Sequence, residues 1–106
     1  MALHDAVLDY LSLDSDRRLR LSFSEIPGRP AERLMIEFDD FQCVLMVGTI
    51  EKDWFLGGVY CYAGDGTAVD PFSLKATLLS RLVVLGTNGA AIDVMLGTAS
   101  ATIVPR

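Results

Sequence analysis

"DPFSLKATLLSRLVVLG", residues 70–86, is the stretch whose reading decides the fold. Asp70 suits a helix N-cap, Pro71 suits the first helical position, and Gly86 follows the last periodic residue. Phe72, Ala76, Leu79 and Val83 fall on one stripe, at spacings of four, three and four. Leu74, Leu78, Leu82 and Leu85 form a second, at spacings of four, four and three. Ser73, Lys75, Thr77, Ser80 and Arg81 leave only a narrow polar strip. The spacing predicts a helix over 71–85 with two apolar faces. A small sheet covers one of them. A second copy of the chain is the simplest cover for the other, so Leu74, Leu78, Leu82 and Leu85 are the expected homodimer interface.

The strand at "EKDWFLGGVYCYAG", residues 51–64, poses the same problem. Strict alternation puts Phe55, Val59 and Cys61 on one side, and Trp54, Leu56, Tyr60 and Tyr62 on the other. Both faces are then apolar, although an antiparallel strand in a small domain ordinarily keeps one polar face. At about 25 cal/mol per Å², a further 600–800 Å² of apolar burial offsets on the order of 15–20 kcal/mol of association costs. Strand and helix both point to a dimer.

Outward from these two segments, residues 2–12 read as a short helix, with Leu3, Val7 and Leu11 on a stripe and Leu8 beside it. A short strand at 19–23 and a Pro/Gly loop at 27–30 follow. From Leu34 the period becomes two: Leu34, Ile36 and Phe38 alternate with Met35 and Glu37. Turns at Asp39–Asp40 and 51–53 bound strands at 43–51 and 54–63. After the long helix, strands at 90–96 and 100–105 flank "GTAS". The expected fold is one α+β domain over residues 1–106: an antiparallel sheet of about five strands, an N-terminal helix and one long helix, in the order α-β-β-β-α-β-β.

Composition fits a globular chain, with 51% apolar and 22% charged residues. The net charge of −5 argues against nucleic acid and anionic membranes as partners. Arg17, Arg18, Arg20, Arg29 and Arg33 do cluster, but Glu25 and Glu32 lie among them, which predicts a solvated surface of mixed charge. No apolar run approaches the roughly 20 residues of a membrane span. Asp5 and Asp9 stand where a signal peptide carries Lys or Arg, so a cytoplasmic protein is expected.

No reactive constellation emerges. Cys43 and Cys61 lie in apolar strand patterns and read as buried free thiols; with no CxxC and no second histidine, nothing supports a disulfide or a metal pair. His4, the only histidine, sits near the chain's start, a poor place to hold a general base. Asp14/Asp16 and Asp39–Asp40 are explained by turn chemistry. "GDGTAVD" lacks the alternating oxygen ligands and terminal Glu of a calcium loop. "LGTNGA" places its glycines after a helix and not before one, so it cannot cradle phosphate. Ser22, Ser24 and Ser73 have no histidine partner. A non-enzymatic protein with no cofactor and no metal is expected.

Several patterns between 34 and 105 resemble the small acidic class I chaperones of bacterial type III secretion. They are "FDD" at a strand end, "VGTIEKDWFLGGVYCYAG" as an acidic turn followed by an aromatic strand, and "DPFSLKATLLSRLVVLGTNGAAIDVML" as a helix running into an apolar strand. The acidic pI of 4.6 and the helix at 2–12 agree. The family's usual helix after the last strand is not matched up to Arg106. The resemblance implies a cytoplasmic homodimer that holds an extended segment of a secreted effector, keeping it competent for export. Carried onto this chain, it implies effector contacts at Leu3, Val7 and Leu11 on the first helix, and at Met35, Val44, Met46, Leu56 and Tyr60 on the sheet. The alternative is a dimeric interaction or regulatory module of the same fold.

Overall fold

A computed structural model describes residues 3–51 and 53–106. Both expected helices are absent, and the chain is almost entirely β. Its strands are β1 (Val7–Leu13), β2 (Arg18–Ser24), β3 (Glu32–Asp39), β4 (Cys43–Val47), β5 (Trp54–Ala63), β6 (Ala68–Val69), β7 (Thr77–Gly86) and β8 (Ala91–Pro105). All pairings between them are antiparallel. The sheet runs β1-β2-β3-β8-β7-β5-β6, and β1 also pairs with β5. The ring β1-β2-β3-β8-β7-β5 therefore closes into a barrel, which removes most free strand edges. The α+β order gives way to this architecture.

The capping chemistry at Asp70 and Pro71 is real but stops after one turn. The Asp70 carboxylate accepts from Phe72 N–H at 2.9 Å, opening a 3₁₀ turn over Pro71–Ser73. Leu74 is already extended (φ −75°, ψ 123°). Its carbonyl accepts from Ala101 N–H of β8, and Ala76 N–H donates to Ser100 Oγ. From Thr77 the segment pairs with β5 on one side and β8 on the other. Two flanking ladders and the β-branched Val83 and Val84 override the helical spacing.

That spacing has a specific origin. Ser80 is an extra residue in β7, because Tyr62 and Ala63 of β5 face Arg81 and Leu79. The bulge moves the inward phase from Leu79 to Leu82 and Val84, all fully buried. Its Ser80 hydroxyl donates to the Tyr62 and Ala63 carbonyls. Gly57 does the same in β5, where Leu56 and Gly58 face Gly86 and Leu85. Trp54, Leu56, Val59 and Cys61 thus share the inner face, exposed by 3% or less, while Phe55, Tyr60 and Tyr62 point out. The strand that seemed apolar on two faces has one core face. Asp9 is the extra residue in β1, so Leu8 and Leu11 both reach the core. Each bulge turns a spacing of two into three, and a bulged strand then imitates a helix stripe.

The predicted helix at 2–12 is accordingly a turn at 3–5 followed by β1 (Ala2 lies outside the described residues). The predicted strands at 90–96 and 100–105 are one continuous β8, bent at Leu96 (φ 54°) and Gly97. Residues 98–105 pair with β3, and residues 91–95 pair with β4 on the same edge. The 19–23 strand, the 34–38 alternation and the 54–63 strand are found as expected, whereas 43–51 shortens to β4. The core gathers Leu19, Leu21 and Phe23 of β2, Leu34, Ile36 and Phe38 of β3, and Ile92 and Val94 of β8.

The barrel's exterior has two unlike flanks. On β1–β3 the arginine cluster meets acids: Arg18 with Asp39 (2.8 Å), Arg20 with Glu37 (3.2 Å) and Arg33 with Asp9 (3.1 Å). The flank made by β4, β8, β7 and β5 is largely apolar.

Candidate functional site: the apolar flank around β4

Register fixes which side chains share this outer flank. Leu45, Asp93, Val83 and Tyr60 form one row across β4, β8, β7 and β5. Val47, Ala91, Leu85 and Gly58 form the next, and Cys43, Met95, Arg81 and Tyr62 the third. Leu45 is 53% exposed, Val47 52%, and Leu85 and Met95 are also exposed. The Tyr60 ring lies along the strand over Gly58, filling the space that a Cβ there would take.

The rows hold two charges, and these cancel. Arg81 donates to Asp93 from Nη2 at 2.7 Å and from Nε at 3.0 Å, a two-pronged pair. This pairing raises the affinity of Arg81 for its proton. The flank is thus neutral in a chain of net charge −5.

β4 supplies the second element. Among the described residues it pairs with β8 alone, so its other edge presents unpaired backbone groups. Natural edge strands are usually blunted by lysine, proline or bulges. "CVLMV" contains none, and four of its five residues are exposed. A short, apolar, open edge thus lies beside an apolar face, a combination rare on the surface of a lone chain.

No family model matches the chain, and no curated protein or solved structure is significantly similar to it. The flank must be read from its own chemistry.

The expected contact residues scatter. Of the dimer stripe, Leu74 and Leu82 are core residues at 1% and 0% exposure, whereas Leu78 and Leu85 lie on the surface. The four leucines form no stripe, because residues 77–86 are a strand and not a helix. Of the expected effector contacts, Leu3, Val7 and Leu56 are buried. Leu11 is half-buried against the core. Met35 lies on the charged flank, opposite Ser22. Of these expected contacts only Tyr60 lies on the outer apolar flank; Val44 and Met46 belong to β4 but face the other way, opposite Val94 and Ile92 of the core. Leu45, Val47, Leu85 and Met95 complete the flank. Their signal in the sequence was the run "CVLMV" with no charge on either face, a warning of an unprotected edge.

Cys43 is exposed and Cys61 buried, both free. Burial, helped by the negative charge of Asp70, pushes the Cys61 thiol up to about 12. It backs a cleft of about 400 Å³ between Tyr60, Tyr62, Val69 and Pro71. Among the described residues, no group of three or more His, Cys, Asp or Glu side chains could hold a metal ion, and no helix is long and apolar enough to cross a membrane.

Proposed function

We propose that the chain is a non-enzymatic protein-interaction module that works as a homodimer, with two copies joined through the free edge of β4. The open, uncharged β4 edge is the observation that carries this reading. Antiparallel pairing of β4 with its own copy about Leu45 sets Cys43 opposite Val47 and Val44 opposite Met46. Every facing pair is apolar, and the same patch serves both copies, as a two-fold interface requires. The neutralised Arg81–Asp93 pair means that two acidic chains can meet here without repulsion. The cytoplasm is the compartment this reading favours, since two free cysteines, one of them exposed, suit a reducing setting.

Capture of an extended effector segment, the function implied by the chaperone resemblance, would use the same edge by strand addition. The helices that carried the resemblance are strands and a turn here, so self-association is the reading preferred.

The test is solution mass by light scattering at micromolar concentration, for the wild type and for Leu45→Lys. A dimeric wild type and a folded, monomeric variant are expected, since a lysine on an edge strand opposes pairing. A monomeric wild type, or a variant that stays dimeric, overturns the proposal. A monomer that gains affinity for extended apolar peptides would return the effector-binding reading.

A further inference from the structure

The charged flank holds a separate cavity. β2 alternates cleanly, with Leu19, Leu21 and Phe23 pointing into the core and Arg20, Ser22 and Ser24 pointing out. Ser22 nevertheless is only 2% exposed. Tyr10 and Met35 flank it in register on β1 and β3. Together with Asp9, Arg20 and Arg33 they line a cavity of about 480 Å³ with Ser22 among its walls. That volume lies in the range of small-molecule pockets.

Three buried side-chain polar atoms have no hydrogen-bond partner among the described residues: Asp9 Oδ1, Ser22 Oγ and Arg33 Nε. All three belong to residues that line this one cavity, the atoms themselves being covered by their neighbours. A buried polar atom without a partner is destabilising, and folded proteins hold few of them. Three at one place set this cavity apart from the other described pockets. Asp9 is, besides, the bulge residue of β1, and bulges commonly re-aim a side chain beside a functional site.

We propose that this cavity binds a neutral, polyhydroxylated small molecule of the sugar or cyclitol type. The three atoms set the ligand's chemistry. Asp9 Oδ1 requires a donor, Arg33 Nε requires an acceptor, and Ser22 Oγ serves as either. The charges are already matched, Asp9 with Arg33 and Arg20 with Glu37 and Asp14. An anion would meet Asp9 and a cation would meet Arg33, so the ligand is neutral. An amide fixes its donor and acceptor in one geometry. Hydroxyls rotate to donate or accept, and adjacent ones on a ring can satisfy all three atoms. Tyr10, 52% exposed, offers an aromatic face to ring C–H groups, and Met35 an apolar wall.

The experiment is an amide and arginine side-chain NMR titration with glucose, galactose, mannose, ribose, N-acetylglucosamine and myo-inositol. Acetamide, acetate and inorganic phosphate serve as controls. Expected are saturable shifts at Tyr10, Ser22 and the Arg33 Nε–H with at least one polyol. Binding should weaken about tenfold or more in Ser22→Ala and in Asp9→Asn. Ser22→Ala, relieved of an unpartnered hydroxyl, should also melt above the wild type without ligand, which separates loss of binding from loss of fold. The proposal is overturned if no polyol shifts these signals, if a control binds in their place, or if the variants bind as the wild type does.

Discussion

The indole of Trp54 occupies the space that a side chain on Gly86 would need, so one strand end is closed by a ring resting on a bare backbone. The same indole donates from Nε1 to Asn88 Oδ1 at 3.0 Å, and Asn88 in turn donates to the Thr49 carbonyl. β5, the β7–β8 turn and the segment after β4 are thereby held at one point. Gly86→Ala should destabilise by about 1–3 kcal/mol or more, since the ring cannot yield without leaving its partners. In a Trp54→Val background the same change should cost far less, because the clash is gone. Urea melts of the four proteins measure this coupling; additive effects would refute it.

β7 gives the cleanest contrast between strand and helix. Leu82 is fully buried and Leu78 is 66% exposed. Leu82→Ala should cost about 2–5 kcal/mol and Leu78→Ala within about 0.5 kcal/mol. A helix with a leucine stripe would make the two equal. Equal effects in thermal melts would therefore reject the strand.

The two thiols should differ sharply. Exposed Cys43 of the native protein should react with Ellman's reagent and release one equivalent of thionitrobenzoate, with a second released only on denaturation. Cys61 also sets a pH trend. Its folded thiol titrates above its unfolded value of 9.0, at about 12. The stabilisation is therefore complete below about pH 9 and lost as pH rises towards 12. Cys61→Val should flatten this alkaline loss of stability. Rapid modification of both thiols in the native protein would contradict the burial.

Much of the strand map was legible, and the reason for the failures is local. Leu34, Ile36 and Phe38 alternate in an unbulged strand, and their inward face could be read directly. Leu79 and Leu82, or Leu8 and Leu11, are three apart because Ser80 and Asp9 are squeezed out of the ladder. In sequence this spacing is indistinguishable from a helical turn. The Asp70 cap reinforced the error, since the same hydrogen bond opens a single 3₁₀ turn. What the sequence lacked was knowledge of the ladders on both sides of residues 77–86. The apolar edge at 43–47 was visible as a strand, but its free side depends on β2 beginning only at Arg18, a fact of topology alone. Ser22 was noted only as a serine without a histidine; its burial follows from Tyr10 and Met35, which come from other strands.

The bent β8 has a consequence for how the molecule comes into being. It is the seam shared by β3, β4 and β7, and it follows all of them in the chain. During synthesis the earlier strands leave the ribosome without the neighbour that joins them. The β1–β2–β3 meander and the β5–β7 pair can form early, whereas β4 must wait for β8, and β7 keeps one edge open until then. Assembly should therefore be governed by the arrival of residues 91–105, and be slow for a domain of this length, as pairings distant in sequence generally are.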